Sequence, residues 1–270
     1  MPRLMYGSIR ANGVRINYYR TGDDKPPVVL LHGFSDAALS WNRLPVALEP
    51  EFDVVLVDAR GHGYSAAPET GYAPEDHAAD LLALIEQLQL DRPALVGHAM
   101  GAVVAATLAA AHPAMVRGLI LEEPTWPQPG ADEAGRAQHA AEWREQIRTQ
   151  KELSLDELSD LCVASFPAWH STEAFQWAKA KQLVKPLAAG FFEAPWPDWQ
   201  GVLQQISAPG LLVAGEPALG SLVGPQVFEQ AGRLWRRGEV VRVAGAGHNV
   251  HREQYREFLR LTQRFLRLLR

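Results

Sequence analysis

Apolar residues along this chain fall into short, nearly unbroken runs separated by stretches with a helical period. The runs at 27–31, 52–58, 93–97, 116–121, 209–214 and 240–244 lack alternation, the pattern of strands buried on both faces. Before them, residues 4–19 break at Asn12-Gly13, which predicts two antiparallel strands joined by a hairpin turn of the Asn-Gly type. Between the runs, 41–48, 74–90, 100–111 and 224–235 predict helices, and 74–90 turns Leu81, Leu82, Ile85, Leu88 and Leu90 toward the core. The helix at 100–111 has alanine at 102, 105, 106 and 109, so it can lie close on a sheet before His112-Pro113 ends it. Strands alternating with helices this regularly require right-handed crossovers. The predicted fold class is therefore α/β, a mostly parallel sheet of about eight strands with helices on both faces.

The rhythm breaks between 124 and 205. This segment is helical, polar in stretches, and holds six of the eight tryptophans: Trp126, Trp143, Trp169, Trp177, Trp196 and Trp199. Because strand-helix alternation resumes after it, it predicts a helical cap inserted into a core made of 1–123 and 206–270. The closing stretch, 250–270, predicts one helix with Tyr255, Phe258, Leu259, Phe265, Leu266 and Leu269 inward and six arginines outward, a solvated face rather than a membrane-binding one.

Bulk properties narrow the partners. A composition of 47% hydrophobic and 21% charged residues, with net charge −5, is that of an ordinary folded protein and offers nucleic acid or an anionic membrane no basic surface. The lone Cys162 excludes an internal disulfide and, without a basic partner nearby, reads as packing. No apolar run reaches about 18 residues, and residues 1–10 lack a signal-peptide pattern, so a cytoplasmic protein is expected.

Candidate chemistry gathers where parallel sheets place it, in loops after the carboxyl ends of strands. His32-Gly33-Phe34 follows the third strand, Asp58-Ala59-Arg60-Gly61-His62-Gly63-Tyr64-Ser65 the fourth, Gly97-His98-Ala99-Met100-Gly101 the fifth, Glu122-Glu123 the sixth and Gly245-Ala246-Gly247-His248 the last. In this order, and with a cap, the motifs resemble the α/β-hydrolase superfamily over nearly the whole chain. The resemblance to its cap-bearing esterases and lactonases implies that 97–101 is a nucleophile elbow, a strained strand-turn-helix that displays one reactive side chain. Here the tip is Ala99, which has nothing to attack with, and the surrounding Gly-His-x-Met-Gly implies an inactivating serine-to-alanine replacement. An aspartate parent, as in dehalogenases and epoxide hydrolases, is disfavoured because Met100 stands where those enzymes typically carry tryptophan.

The resemblance also implies the remaining roles. His248 would be the base, a task suited to histidine near neutral pH, while the N–H groups of Phe34 and Met100 would form the oxyanion hole. The acid usually follows the seventh strand, but Ala218 stands there. That leaves Glu123, at the sixth strand's end as in some relatives, ahead of Glu216; Glu122 should point to the opposite side of the strand. His32 and His98 read as structural and His251 as surface or packing. No histidine has metal-ligand spacing with cysteine or carboxylate partners, so no metal and no cofactor are expected. Trp126, Trp169, Trp177 and Trp196 are candidates to line a pocket for a bulky apolar or aromatic ester or lactone. The competing readings are a non-catalytic ligand-binding receptor, a C–C hydrolase and a cofactor-free oxygenase; the oligomeric state is not legible.

Overall fold

The computed structural model describes residues 4–22, 24–126, 132–196 and 198–270; parts of the predicted turn at 21–26 and of the predicted cap at 124–205 lie outside them. Eight strands form one sheet: β1 (Met5–Ala11), β2 (Val14–Arg20), β3 (Pro27–Leu31), β4 (Asp53–Val57), β5 (Ala94–His98), β6 (Gly118–Glu122), β7 (Gly210–Ala214) and β8 (Gly238–Arg242). Their spatial order is β1-β2-β4-β3-β5-β6-β7-β8, with β2 antiparallel to both neighbours and every other pairing parallel.

Residue parity along the strands divides the core. Val28, Leu30, Ala94, Val96, Ile120, Leu211 and Val213 face one side, and Val29, Leu31, Leu95, Leu119, Leu121 and Leu212 the other. The first side is covered by α1 (Leu44–Leu48) and α11 (Tyr255–Leu268), through Leu44, Leu48, Phe258, Leu261, Phe265 and Leu266. The second carries α2 (Pro74–Gln87) and α3 (Met100–Ala111), whose alanines at 102, 105, 106 and 109 are fully enclosed. Between β6 and β7 lie α4 (Glu133–Glu152), α5 (Leu155–Ser165), α6 (Ser171–Leu183), α7 (Gly190–Glu193) and α8 (Trp199–Gln205). Of these, α8 returns to the flank of the core and packs on α3 and on α9 (Pro225–Leu234).

Two expectations are corrected. The closing stretch is not one helix: it turns at Gln254, with φ −126° and ψ 51°, separating α10 (Val250–Glu253) from α11. The turn carries Arg252 inward, where it is 4% exposed and ion-paired to Asp36 at 2.9 Å, so only five of the six arginines belong to the outer face. The region expected as a helix at 41–48 begins instead with a tight turn at Ala38–Trp41, and α1 starts three residues later. Among the described residues no helix is long and apolar enough to cross a membrane.

Candidate active site

At the centre of the sheet β5 runs into α3 through Ala99, whose φ of 49° and ψ of −110° lie in a sparsely populated region costly for a residue with a side chain. The glycines on either side make this turn possible. A Cβ on Gly97 would collide with the Gly101 carbonyl, and one on Gly101 with the carbonyl of Leu31. The Ala99 N–H donates to the Glu122 carbonyl at 2.9 Å, which ties the tip to the neighbouring strand end. Met100 opens α3, where a first-turn N–H has no intrahelical acceptor and is free for a ligand oxygen.

The loop after β3 is held by two buried histidines in defined tautomers. His32 Nε2 accepts from Ala59 N–H at 3.1 Å, so its Nδ1–H donates to the Gly33 carbonyl at 2.7 Å. His62 Nε2 accepts from Ser35 N–H at 3.2 Å, so its Nδ1–H donates to the Arg60 carbonyl at 3.0 Å. Both must stay neutral to do this, and burial lowers both pKa values, that of His62 to about 3. Asp58 supports the same region, accepting from Asn17 Nδ2 at 2.7 Å, Ala38 N–H at 2.8 Å and Tyr64 N–H at 3.0 Å. The motif at 58–65 is thus a brace for the loop that carries Phe34.

From the cap, Lys181 on α6 reaches Ser35, donating to its hydroxyl at 2.7 Å and its carbonyl at 3.1 Å. Ser35 has φ 62°, so the residue after Phe34 is itself held in a left-handed conformation. Burial lowers the Lys181 ammonium to about 8, against the opposing pull of Asp36 at 3.9 Å. Asp36 also pairs with Arg252, which approaches Glu173 of α6 at 3.4 Å. Four buried charges therefore join α6 of the cap, the β3 loop and α10.

His248 and Glu123 meet across the top of β6, with Nδ1 3.5 Å from Oε2. This is longer than a well-formed hydrogen bond, as ligand-free sites often are. The Glu123 carboxylate is inaccessible and pinned by Gly215 N–H at 2.8 Å, Ser221 Oγ at 2.6 Å and Leu222 N–H at 2.6 Å. Burial pushes its pKa up, but the approach of His248 and these donors outweigh it and hold the group below the ordinary glutamate value. The loop after β7, where the superfamily usually carries its acid, here supplies donors to the acid of β6. Glu216 faces elsewhere, accepting from Gly245 N–H at 2.8 Å, and Ala218 is exposed.

Glu122 points to the opposite face, as strand parity predicts. It accepts from His251 twice, through N–H at 2.8 Å and Nδ1–H at 2.9 Å. His251 is therefore buried beside a carboxylate and is neither a surface residue nor simple packing. His98 joins the cluster and donates Nε2–H to the His248 carbonyl at 3.0 Å. Burial lifts Glu122 to about 7 and lowers His98 to about 3. Among the described residues, His98, Glu122 and His251 form one group whose ligand atoms lie within 4.8 Å of one another. His251 Nδ1 and the carboxylate are engaged with each other, and His98 Nε2 with the backbone.

The tryptophans divide. Trp196 packs on Phe191 and Phe192, and Phe192 meets both Phe34 and Trp143 at centroid distances of 4.6 and 5.9 Å. Phe34 touches Trp143 at 4.9 Å, so this aromatic wall grows from the β3 loop beside Ala99. Trp126 stacks on Trp199 at 4.7 Å, over the flank of α3. Trp169 and Trp177 gather with Phe166 around Leu158 and the buried Cys162, in a separate cap core. Trp143 and Phe192 are members of the wall absent from the sequence-based candidates. Their signal was composition alone, which cannot tell a wall from a core.

Fold and site together define a class, and a family profile agrees: the alpha/beta hydrolase family matches residues 28–261, and the chain belongs to that family. Among curated relatives it is 28% identical over 279 residues to a putative 2-succinyl-6-hydroxy-2,4-cyclohexadiene-1-carboxylate synthase of Bacillus subtilis (strain 168), covering 95% of this chain and 96% of that protein. Among solved structures it is similar to E-2-(acetamidomethylene)succinate hydrolase, with TM-score 0.83 and 23% identity over 98% of this chain and 99% of the other. A thermophilic esterase from Thermogutta terrifontis with malate bound gives TM-score 0.79 at 23% identity, over 98% and 99%. At these identities the structural likenesses establish the fold.

Proposed function

We propose that the site is built for serine-type acyl transfer on a carboxylic ester or lactone, and that in this chain, with Ala99 at the nucleophile position, it binds such a substrate without turning it over. The observation that carries this reading is a strained turn at Ala99, next in sequence to His98, whose ring lies 4.8 Å from that of His248, with His248 in turn facing the pinned, buried Glu123. With serine there, Oγ would attack the carbonyl carbon as His248 took its proton. The N–H groups of Phe34 and Met100 would receive the oxyanion, His248 would protonate the leaving oxygen, and water would release the acid by the same steps in reverse. The wall of Phe34, Trp143, Phe192 and Trp196 favours an apolar or aromatic group next to the scissile bond.

A second reading, ligand binding with no reaction, is favoured by Ala99 itself. The names of the similar proteins, a succinate-derivative hydrolase and an esterase holding malate, add small carboxylic acids to the ligands worth trying. The deciding experiment is Ala99→Ser, assayed on p-nitrophenyl esters, aromatic lactones and acetamidomethylene succinate. Losing the nucleophile of a comparable triad costs on the order of a million-fold in turnover, so a gain of that order is expected, abolished by His248→Ala. Silence on all three classes, with ligand still bound by the Ala99 chain, would establish the receptor instead.

A further inference from the structure

Glu122 ends β6 and Glu123 follows it, and each takes one histidine from the segment after β8, His248 in the loop and His251 at the start of α10. Glu123 faces His248 and Glu122 holds His251, three residues further on. The split arises in the backbone: Glu122 pairs in register with His98 and Val213 as ordinary strand, whereas Glu123 turns to φ 46°. The left-handed turn swings the second carboxylate toward the site and leaves the first on the face covered by α10 and α11.

We infer that Glu122 is a positioning residue of the active site, acting through His251 and together with His98 to fix the loop that presents His248 to Glu123 and Ala99. The inference rests on the reading of His248 as the proton shuttle. Three contacts carry it. Glu122 grips the start of α10 by main chain and side chain at once, through His251 N–H and Nδ1–H. His98, next to the elbow tip, donates to the carbonyl of His248 itself. His248 is left with its backbone held from both ends of a short segment while its ring faces the open site, 29% exposed.

The geometry explains why this anchor is polar and sits in the interior. An apolar pair in place of Glu122 and His251 would fill the same space, but it would leave the His251 N–H without an acceptor in a buried position. It would also remove the directionality that sets the loop. The carboxylate supplies two acceptor atoms for two donors of one residue, which fixes both the position and the rotation of the helix start. A displacement of that start would carry over three residues to the imidazole of His248. A misplacement of about 1 Å in a reacting group can cost on the order of 100-fold in rate.

The test has one readout that needs no turnover. In the Ala99 chain labelled with 15N-histidine, the ring nitrogen shifts of His248, assigned by difference with His248→Gln, report its tautomer. The positioned ring is expected in the Nδ1–H form facing Glu123; in Glu122→Gln it should pass to the mixture of tautomers seen in a free imidazole, with the fold retained by circular dichroism. In the Ala99→Ser background the same substitution should lower kcat on the order of 100-fold with KM little changed. If Glu122→Gln fails to fold, His251→Gln, which keeps the backbone N–H and breaks the ring contact, is read in the same way. An unchanged His248 tautomer in a folded Glu122→Gln or His251→Gln chain would overturn the inference. Inactivity of Ala99→Ser would sink the acyl-transfer reading alone, since the nitrogen shifts are read without it.

Discussion

The two glutamate–histidine pairs at the end of β6 are chemically alike and physically opposite. Glu122 and His251 lie in contact at 2.9 Å with both side chains buried, and burial raises the acid to about 7 while depressing the histidine. Glu123 and His248 stand 3.5 Å apart, and here the acid, though burial raises it, is held below its ordinary value by the approach of His248 and by donors from three other residues. The inner pair has satisfied its bonding internally and has no face left for a substrate. The outer pair keeps a histidine nitrogen toward solvent and spends its donors on keeping the acid ionised. On the proposed reading the pair used for proton transfer is the one whose histidine still faces the site, and its longer contact is that of a ligand-free site.

The sharpest way to break that distinction is Glu123→Gln in the Ala99→Ser background. If the outer carboxylate fixes the tautomer and stabilises the imidazolium, its loss as a charge should lower kcat on the order of 10⁴-fold, as the matching change does in the well-studied serine protease triad. A loss of less than ten-fold, measured with the same ester, would return the acid's role to another residue.

The next effect is on stability. Arg252 is 3% exposed at its side chain and serves Asp36 and Glu173 while sitting next in sequence to His251. Arg252→Met takes the paired cation from the buried Glu173 and leaves the buried Asp36 with Lys181 alone, at 3.9 Å; about 3–5 kcal/mol is the ordinary cost of removing one partner of a buried pair. Urea denaturation of the Ala99 chain should show that loss. A change below about 1 kcal/mol, the usual size for a surface ion pair, would mean that the network is effectively solvated.

These residues also show which parts of the molecule were legible from its sequence. The elbow was, because both glycines stand in the sequence at the spacing of the turn; Gly97 is demanded by the Gly101 carbonyl within it and Gly101 by the Leu31 carbonyl of the neighbouring strand. The opposition of Glu122 and Glu123 agrees with strand parity, but it is a left-handed turn at Glu123, just past the strand, that sets the second carboxylate, and that turn was not legible. The burial of Arg252 was not, since it follows from one φ/ψ pair at Gln254 that breaks an otherwise continuous helical pattern. Neither were Ser221 and Lys181, which reach their partners across 98 and 146 residues of chain. The tryptophans gave no sorting signal, because Trp143 in the wall and Trp177 in the cap core stand in similar helical contexts.

The inner pair predicts an unusual pH dependence. His32, His62, His77, His98 and His251 are buried with depressed pKa values, about 3 for His62 and His98. Below the unfolded value near 6.5 the unfolded chain binds protons that the folded chain refuses, so stability falls as pH drops through that window. Glu122 has the opposite sign. With a folded pKa of about 7 against 4.5 unfolded, it favours the folded state fully below about 4.5 and loses that contribution as pH rises through 7. Between 4.5 and 6.5 it therefore offsets one histidine. Glu122→Gln removes the offset, and the acid-side slope of unfolding free energy should steepen by about 1.4 kcal/mol per pH unit. Urea midpoints at pH 6.5 and 5 measure it, and parallel slopes in the two proteins would show that Glu122 stays ionised across the range.

The smallest effect decides between the two acids that the sequence left open. Glu216 is partly exposed and accepts one backbone N–H, from Gly245 at 2.8 Å. Gln at this position keeps an acceptor oxygen for that bond, so Glu216→Gln should shift stability within about 0.5 kcal/mol, the range of ordinary surface changes. In the Ala99→Ser background its kcat should match the parent's. The comparison is informative because Glu216 approaches the His248 loop from the side of β7, where the usual placement of the acid would put it. A large loss of kcat at unchanged stability would mean that the negative charge of Glu216 reaches His248 through the Gly245-Ala246-Gly247 turn. Glu123, for all its donors, would then be an anchor of the same kind as Glu122.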